Sequence, residues 1–325
     1  MKTKIIAITL LLALQACAQQ KTTNTTMEEE LLNYYKQIKQ PTTPINYNAS
    51  FYSSGCSFEL RVNDDYVYNY YSTGGIGTSF PINPNILKAG KQRFSITLYP
   101  PRLTNGDFAK TLPKDASFKL DIKGVVFDDG FVDTVDDGIT FELPTKPGIN
   151  DDGAETMIYA DEGQPIAVYT GYFNADVEYD LVGWSESVDL RKEDPDKLLE
   201  EALKLYKSAG RAITEGDYQT FFTLTEKKTK EIAQCYYSDS TGMIKNLKPY
   251  KKYALYNEKK LQPLDDFSVQ FFGNGKMIGL YDNTGSYKGK PSLQMDYNKN
   301  DLEYVGYLFL HLHRPKKGAP LEIIR

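Results

Sequence analysis

At Asp194 the hydrophobic pattern of the chain changes its period, so one kind of regular layer cannot accommodate both sides of it. From Asn48 to Trp184, short apolar-polar alternations are broken by Gly, Pro, Asn and Asp. Phe58 to Val62 alternates, Asn63-Asp64-Asp65 interrupts, and Tyr66, Tyr68 and Tyr70 then share one face of a second run, which is a hairpin signal. Further strands are predicted over 93–99, 118–127, 139–143, 155–159, 166–173 and 179–184. Short strands at this spacing predict an all-β sandwich over 46–193.

After the break, Asp194 is placed as N-cap and Pro195 at the first helical position. Leu198, Leu199, Ala202, Leu203, Tyr206 and Ala209 then recur at helical spacing. Gly216-Asp217 separates this helix from a second that carries Tyr218, Phe221, Phe222, Leu224, Ile232 and Tyr236. Strands are predicted on either side of the Gly273-Asn274-Gly275 turn, and again over 293–297, 304–313 and 321–324. Residues 194–325 predict an α+β domain, two helices on an antiparallel sheet. Two domains also agree with the length of 325 residues, since single cores usually stop growing well below this size.

Two phrases carry family resemblances. The hairpin turn Val62-Asn63-Asp64, followed by Leu87-Lys88-Ala89-Gly90-Lys91-Gln92 leading into Phe94-Ser95-Ile96-Thr97-Leu98, resembles the paired turns of galactose-binding-like jelly rolls. Asp64 and Gln92 stand where that pattern has Gly and Asn. The resemblance implies a jelly-roll-like sandwich, a fold used for sugar binding and for purely structural roles alike. In the second part, Ala212-Ile213-Thr214-Glu215-Gly216-Asp217-Tyr218 is similar to the helix junction of NTF2-like domains, which implies a curved sheet with one side lining a cavity.

At the N-terminus, Lys2 and Lys4 precede an apolar run from Ile5 to Leu14, far shorter than the roughly 20 residues that span a bilayer. This reads as an export signal over 1–16. Leu14-Gln15-Ala16-Cys17 resembles the lipobox of bacterial lipoproteins, which implies lipidation of Cys17 and, with Ala18 and not Asp next, the outer membrane. Ala16-Cys17-Ala18 also fits an ordinary signal peptidase, which would release a soluble periplasmic or secreted protein. Residues 17–45 then supply a lipidated N-terminus, a Gln- and Thr-rich tether and a short helix bearing Leu31, Leu32, Tyr35 and Ile38. Cys56 and Cys235 are expected to be buried free thiols.

The net charge of −5 gives no overall reason to bind nucleic acid, but it hides a division. Residues 194–325 carry +4, whereas 121–193 alone carry −14. Much of that acid falls in Asp-Asp-Gly triplets at 128–130, 136–138 and 151–153. Asp-Gly is hairpin-turn chemistry, so turns are the plain explanation. The sharper one is structural calcium held by Asp128, Asp129, Asp133, Asp136 and Asp137 on loops at one end of the sandwich, since Ca²⁺ takes six to eight oxygens. No other cofactor is expected. The Lys-rich segments at 227–230 and 251–260 read as solvated surface or as a face for the acidic part.

No HExxH, GxSxG, SxxK, P-loop or dinucleotide fingerprint occurs. His311 and His313 lie two apart on a predicted strand, on the side of Tyr307 and Phe309. In the plain reading they face water while Leu308, Leu310 and Leu312 face the core; in the functional one they line the C-terminal cavity. Tyr66, Tyr68 and Tyr70, and Tyr169 and Tyr172 near Trp184, are candidate platforms for a sugar or a protein. These features predict a non-catalytic envelope lipoprotein that binds a glycan or an exported protein. An inhibitor of a basic toxin and a hydrolase using His311 and His313 are the alternatives.

Overall fold

The computed structural model describes residues 26–128, 131–285, 288–300 and 302–325. The export signal, Cys17, the tether up to residue 25 and Asp129 lie outside the described residues. Helix α1 (Met27–Asn33) opens on a Thr26 N-cap whose hydroxyl accepts from the Glu29 amide, while the Glu29 carboxylate accepts from the Thr26 amide. The helix does not stand apart as part of a tether. Leu31 is fully buried in the core of the C-terminal part, and Glu28 and Glu30 pair with Lys251 and Lys230.

The strands that follow are β1 (Asn46–Ser54), β2 (Ser57–Val62), β3 (Asp65–Tyr70), β4 (Ile76–Pro81), β5 (Lys88–Tyr99), β6 (Ser117–Asp128), β7 (Phe131–Glu142), β8 (Thr145–Ile149), β9 (Glu155–Tyr159) and β10 (Ala167–Asp180). Two four-stranded antiparallel sheets, β4-β1-β6-β7 and β10-β5-β2-β3, pack face to face. Alternation decides the facing: Phe94, Ile96 and Leu98 of β5 are buried while their neighbours are not. Across the sheets Phe58 meets Phe118 edge-to-face at 4.8 Å. Asn63 and Asp64 both take positive φ in the two-residue turn between β2 and β3, as a hairpin of this length requires.

Several predicted boundaries move. The runs at 166–173 and 179–184 are one strand, β10, which stops before Trp184. The triplet at 136–138 is not a turn. It is a bulge inside β7, where the pairing steps from Ile122 with Ile139 to Gly124 with Asp136. Gly138 has φ +54°, and a Cβ there would overlap the Ile122 carbonyl oxygen, so only glycine fits. The triplet at 151–153 does form the β8–β9 turn, closed by the Asn150 side chain on the amides of Asp152 and Ala154.

In the C-terminal part the prediction of two helices fails. Among the described residues there are four: α2 (Pro195–Glu215), α3 (Tyr218–Leu224), α4 (Glu226–Cys235) and α5 (Ser240–Leu255). Asp194 caps α2 through the amides of Asp196 and Lys197. The expected second helix breaks at Thr225, whose hydroxyl bonds back to the Phe221 carbonyl. Helix α5 contains Gly242 and Pro249, both poor helix formers, and burial of Met243 and Leu247 holds it in place. The strands make two antiparallel sheets instead of one: β11 (Asn257–Leu261), β14 (Gln294–Lys299) and β15 (Leu302–Tyr307), and separately β12 (Phe267–Phe272), β13 (Met277–Asp282), β16 (Leu312–His313) and β17 (Glu322–Ile323). The predicted strand 304–313 is interrupted over 308–311.

The two parts meet along a seam with a core of its own, made by Trp184, Phe272, Met277, Tyr281 and Ile324. Two hairpin turns dock there. The Gly273 and Asn274 amides donate to the Asp64 carbonyl and carboxylate at 2.9 and 2.8 Å, and Arg61 donates to Asp64 and to the Phe271 carbonyl. Gly273 has φ +59° and lies so close to Trp184 that a Cβ would sit 2.5 Å from the indole ring. Cys56 and Cys235 are free, and both are buried in the sandwich core.

Candidate functional site

Beside the filled seam the two parts leave a hollow of about 610 Å³. One wall is β3, an edge strand of its sheet, which presents Asp65, Tyr66, Val67 and Tyr68. Another wall is α4 with its C-cap Tyr236, where Lys228, Ile232 and Tyr236 recur every four residues and so share one face. Tyr307, Phe309 and His311 close it from the interrupted strand, and Arg325 and Lys290 complete it. A second hollow of about 390 Å³, between α5 and the 307–310 segment, shares Lys228, Ile232, Tyr307 and Phe309 with the first. An apolar cleft of this size at a domain junction, with a few polar groups converging on it, is typical of small-molecule sites.

Asp65 is buried and held on three sides. Its Oδ1 accepts from the Tyr66 amide and from His311 Nδ1 at 3.0 Å, and its Oδ2 accepts from Asn85. Because a carboxylate only accepts, His311 Nδ1 carries the hydrogen of that bond, and Nε2 is hydrogen-bonded with the Tyr281 hydroxyl at 2.8 Å. Burial pushes the Tyr281 phenol far up, so it keeps its hydrogen. The imidazole also stacks on Phe272 at 4.3 Å.

The cleft's cations are less completely satisfied. Arg325 is only 7% exposed; its Nη1 donates to Glu231 at 2.7 Å, its Nε donates to the Pro84 carbonyl, and its guanidinium lies over Trp184. Its Nη2 is buried and makes no hydrogen bond among the described residues. Lys228 donates to the Phe309 carbonyl. Burial, with the Arg325 charge behind it and Asp65 opposing, pushes the Lys228 ammonium down to about 8. Burial lowers Lys290 as well.

Of the candidates named from sequence, Tyr66, Tyr68 and His311 come together in this cleft. The others do not. Tyr70 packs on Phe58 inside the sandwich. Trp184 is not near Tyr169 and Tyr172: it is 4% exposed in the seam, whereas Tyr169 bonds Tyr159 and Asp161, and Tyr172 lies at the surface under Lys91. Neither histidine faces water. His311 is 5% exposed and His313 fully buried, because the chain ends beyond 308 are folded over by β17 and by residues 187–190. His313 lies outside the cleft, between Ser187 at 2.6 Å and Glu322 at 2.9 Å. Burial and the Lys227 charge push it down to about 4.

Of the five calcium candidates, the side chains of Asp133, Asp136 and Asp137 are described. Asp136 accepts from the Tyr47 hydroxyl and the Gly138 amide, and Asp133 and Asp137 are exposed on β7. Among the described residues no group of three or more His, Cys, Asp or Glu is placed to hold a metal ion, and Asp129 lies outside them.

Sequence reasoning missed Lys228 and Arg325. The signal present was the four-residue repeat Lys228, Ile232, Tyr236, which puts a cation on an otherwise apolar face. Arg325 follows Leu321-Glu322-Ile323-Ile324 with no local mark of its environment. The chain matches no protein-family model, no curated protein and no solved structure.

Proposed function

We propose that this is a non-catalytic binding protein of the bacterial envelope, exported and lipidated at Cys17, whose ligand is a small molecule seated between the sandwich and the helical part. The observation that carries the reading is the apolar cleft of about 610 Å³ walled by Tyr66, Val67, Ile232 and Phe309. Lipidation at the outer membrane rests on the lipobox-like Leu14 to Cys17. The jelly-roll resemblance is supported by the meeting of its two turns, since Asn63 donates to Gln92 at 2.7 Å and to the Asn85 carbonyl. The adjoining hollow beneath α5 suits an NTF2-like reading of the second part.

Binding is favoured over hydrolysis because both histidines spend both ring nitrogens on protein groups among the described residues. A free sugar is a poorer fit than an apolar ligand, because its hydroxyls would be desolvated against Val67, Phe80 and Phe309 with few partners. The test is isothermal titration of the full chain carrying Cys17→Ala, so that no acyl chain of its own competes, with 2-naphthoate and 2-naphthamide. At least one naphthyl probe should bind saturably, one to one, and Ile232→Trp should abolish binding without lowering the melting temperature. Binding of neither probe, or unchanged binding in Ile232→Trp, overturns the reading.

A further inference from the structure

We infer that the cleft selects an amphipathic anion, its carboxylate or comparable acidic head held by Arg325 and Lys228 and its apolar body laid against Tyr66, Val67 and Phe309. This deepens the cleft reading and rests on it. Arg325 is the strongest pointer. A guanidinium offers five N–H donors, and this one is more than nine-tenths buried with Nη2 unpaired among the described residues. Nη2 itself is sealed from solvent, so what the cleft meets is the positive charge of a lining guanidinium with one edge paired to Glu231.

Charge balance in the cleft points the same way. Lys228, Lys290 and Arg325 line it, against Asp65 as the one acid among those lining it. Both Asp65 oxygens are already engaged by Tyr66, Asn85 and His311, and Glu231 accounts for one edge of Arg325. The protein as a whole is acidic at −5, so this is a cationic pocket set against the sign of the molecule. Lys228 has three donors and spends one on the Phe309 carbonyl. It also stands where the two hollows join, so a head group beside it can send its apolar part either way. The lowered Lys228 ammonium fits a site in which one charge of the pair is missing, since a bound anion would offset burial.

The same titrations decide between the two levels of the reading, because 2-naphthoate and 2-naphthamide share one body and differ in charge. The expected result is naphthoate binding at least about tenfold tighter than naphthamide, the order of a charge-assisted contact in a site shielded from water. Lys228→Met should remove most of that preference and leave naphthamide affinity within about twofold. Raising the pH from about 7 to about 9.5 should weaken naphthoate alone, as the ammonium loses its proton. Should Lys228→Met fail to fold, Lys228→Gln makes the same comparison with a smaller change of polarity. Equal affinity for the two probes in the wild-type chain overturns the anion inference and leaves the cleft reading standing. Binding of neither probe removes the cleft reading itself.

Discussion

The filled seam and the open cleft are neighbours built from the same elements, yet they treat polar groups in opposite ways. In the seam, Asp64 is met by two amides and a guanidinium, and Trp184 is packed so tightly that residue 273 must be glycine. In the cleft, a few residues along the same edge strand, Arg325 keeps an unpaired donor and Lys228 is held below its ordinary ionisation range. The seam is organised for stability. The cleft carries groups that cost stability and earn their place only if something binds.

The comparison breaks most visibly at Trp184. Trp184→Ala should destabilise the chain by about 3–5 kcal/mol in urea denaturation, because the cavity lies where two surfaces are already committed to each other. A change below about 1 kcal/mol would mean that the parts are joined elsewhere. Next comes Gly273→Ala, expected to cost about 2–3 kcal/mol from the positive φ and the contact with the indole ring. It should also lower affinity for the naphthyl probes by shifting β12 against the sandwich.

A smaller effect follows from His313. Its folded ionisation lies near 4, below the ordinary 6.5, because of burial and Lys227. As pH falls from about 6.5 towards 4 the unfolded chain binds the proton first, so stability present near neutrality is lost across that window. Chemical denaturation at several pH values should show the loss, at about 1–2 kcal/mol, and His313→Gln should flatten it. The smallest expected effect has the same sign and falls in a more alkaline window. Lys228 is depressed to about 8, so its charged form weakens the fold below pH 8, and stability should rise as pH increases from there towards the unfolded value near 10.5. Lys228→Met should be neutral or stabilising by about 1 kcal/mol at pH 7 while losing naphthoate selectivity. A destabilised Lys228→Met would place this lysine with the seam.

How much of this was legible follows from the range of the interactions. The Asn63-Asp64 turn, the Gly273 to Gly275 turn and the Asp194 cap are written in neighbouring residues, because turn and cap chemistry is local. The break at Thr225 and helix α5 were not. Their residues have weak or contrary propensities, and only burial of Phe221, Phe222, Met243 and Leu247 decides between helix and coil. For the site, spacing correctly put Tyr307, Phe309 and His311 on one side, and Tyr66 and Tyr68 proved to face them. Nothing local says that Asp65 meets His311, 246 residues away, or that Trp184 leaves the company of Tyr169 for the seam.

The sequence by itself determined the β-rich character of the first part, its hairpins, the first long helix and the uneven distribution of acid, since each depends on period, turn chemistry or composition. Tertiary structure alone decided which tyrosines and histidines would be enclosed, and that a lysine from a helix and an arginine beyond the last strand would share one cleft. The physical reason is that burial and charge are properties of assembled surfaces. A guanidinium has the same five donors in any sequence, and whether one of them is left without an acceptor is settled only when the surrounding walls are in place.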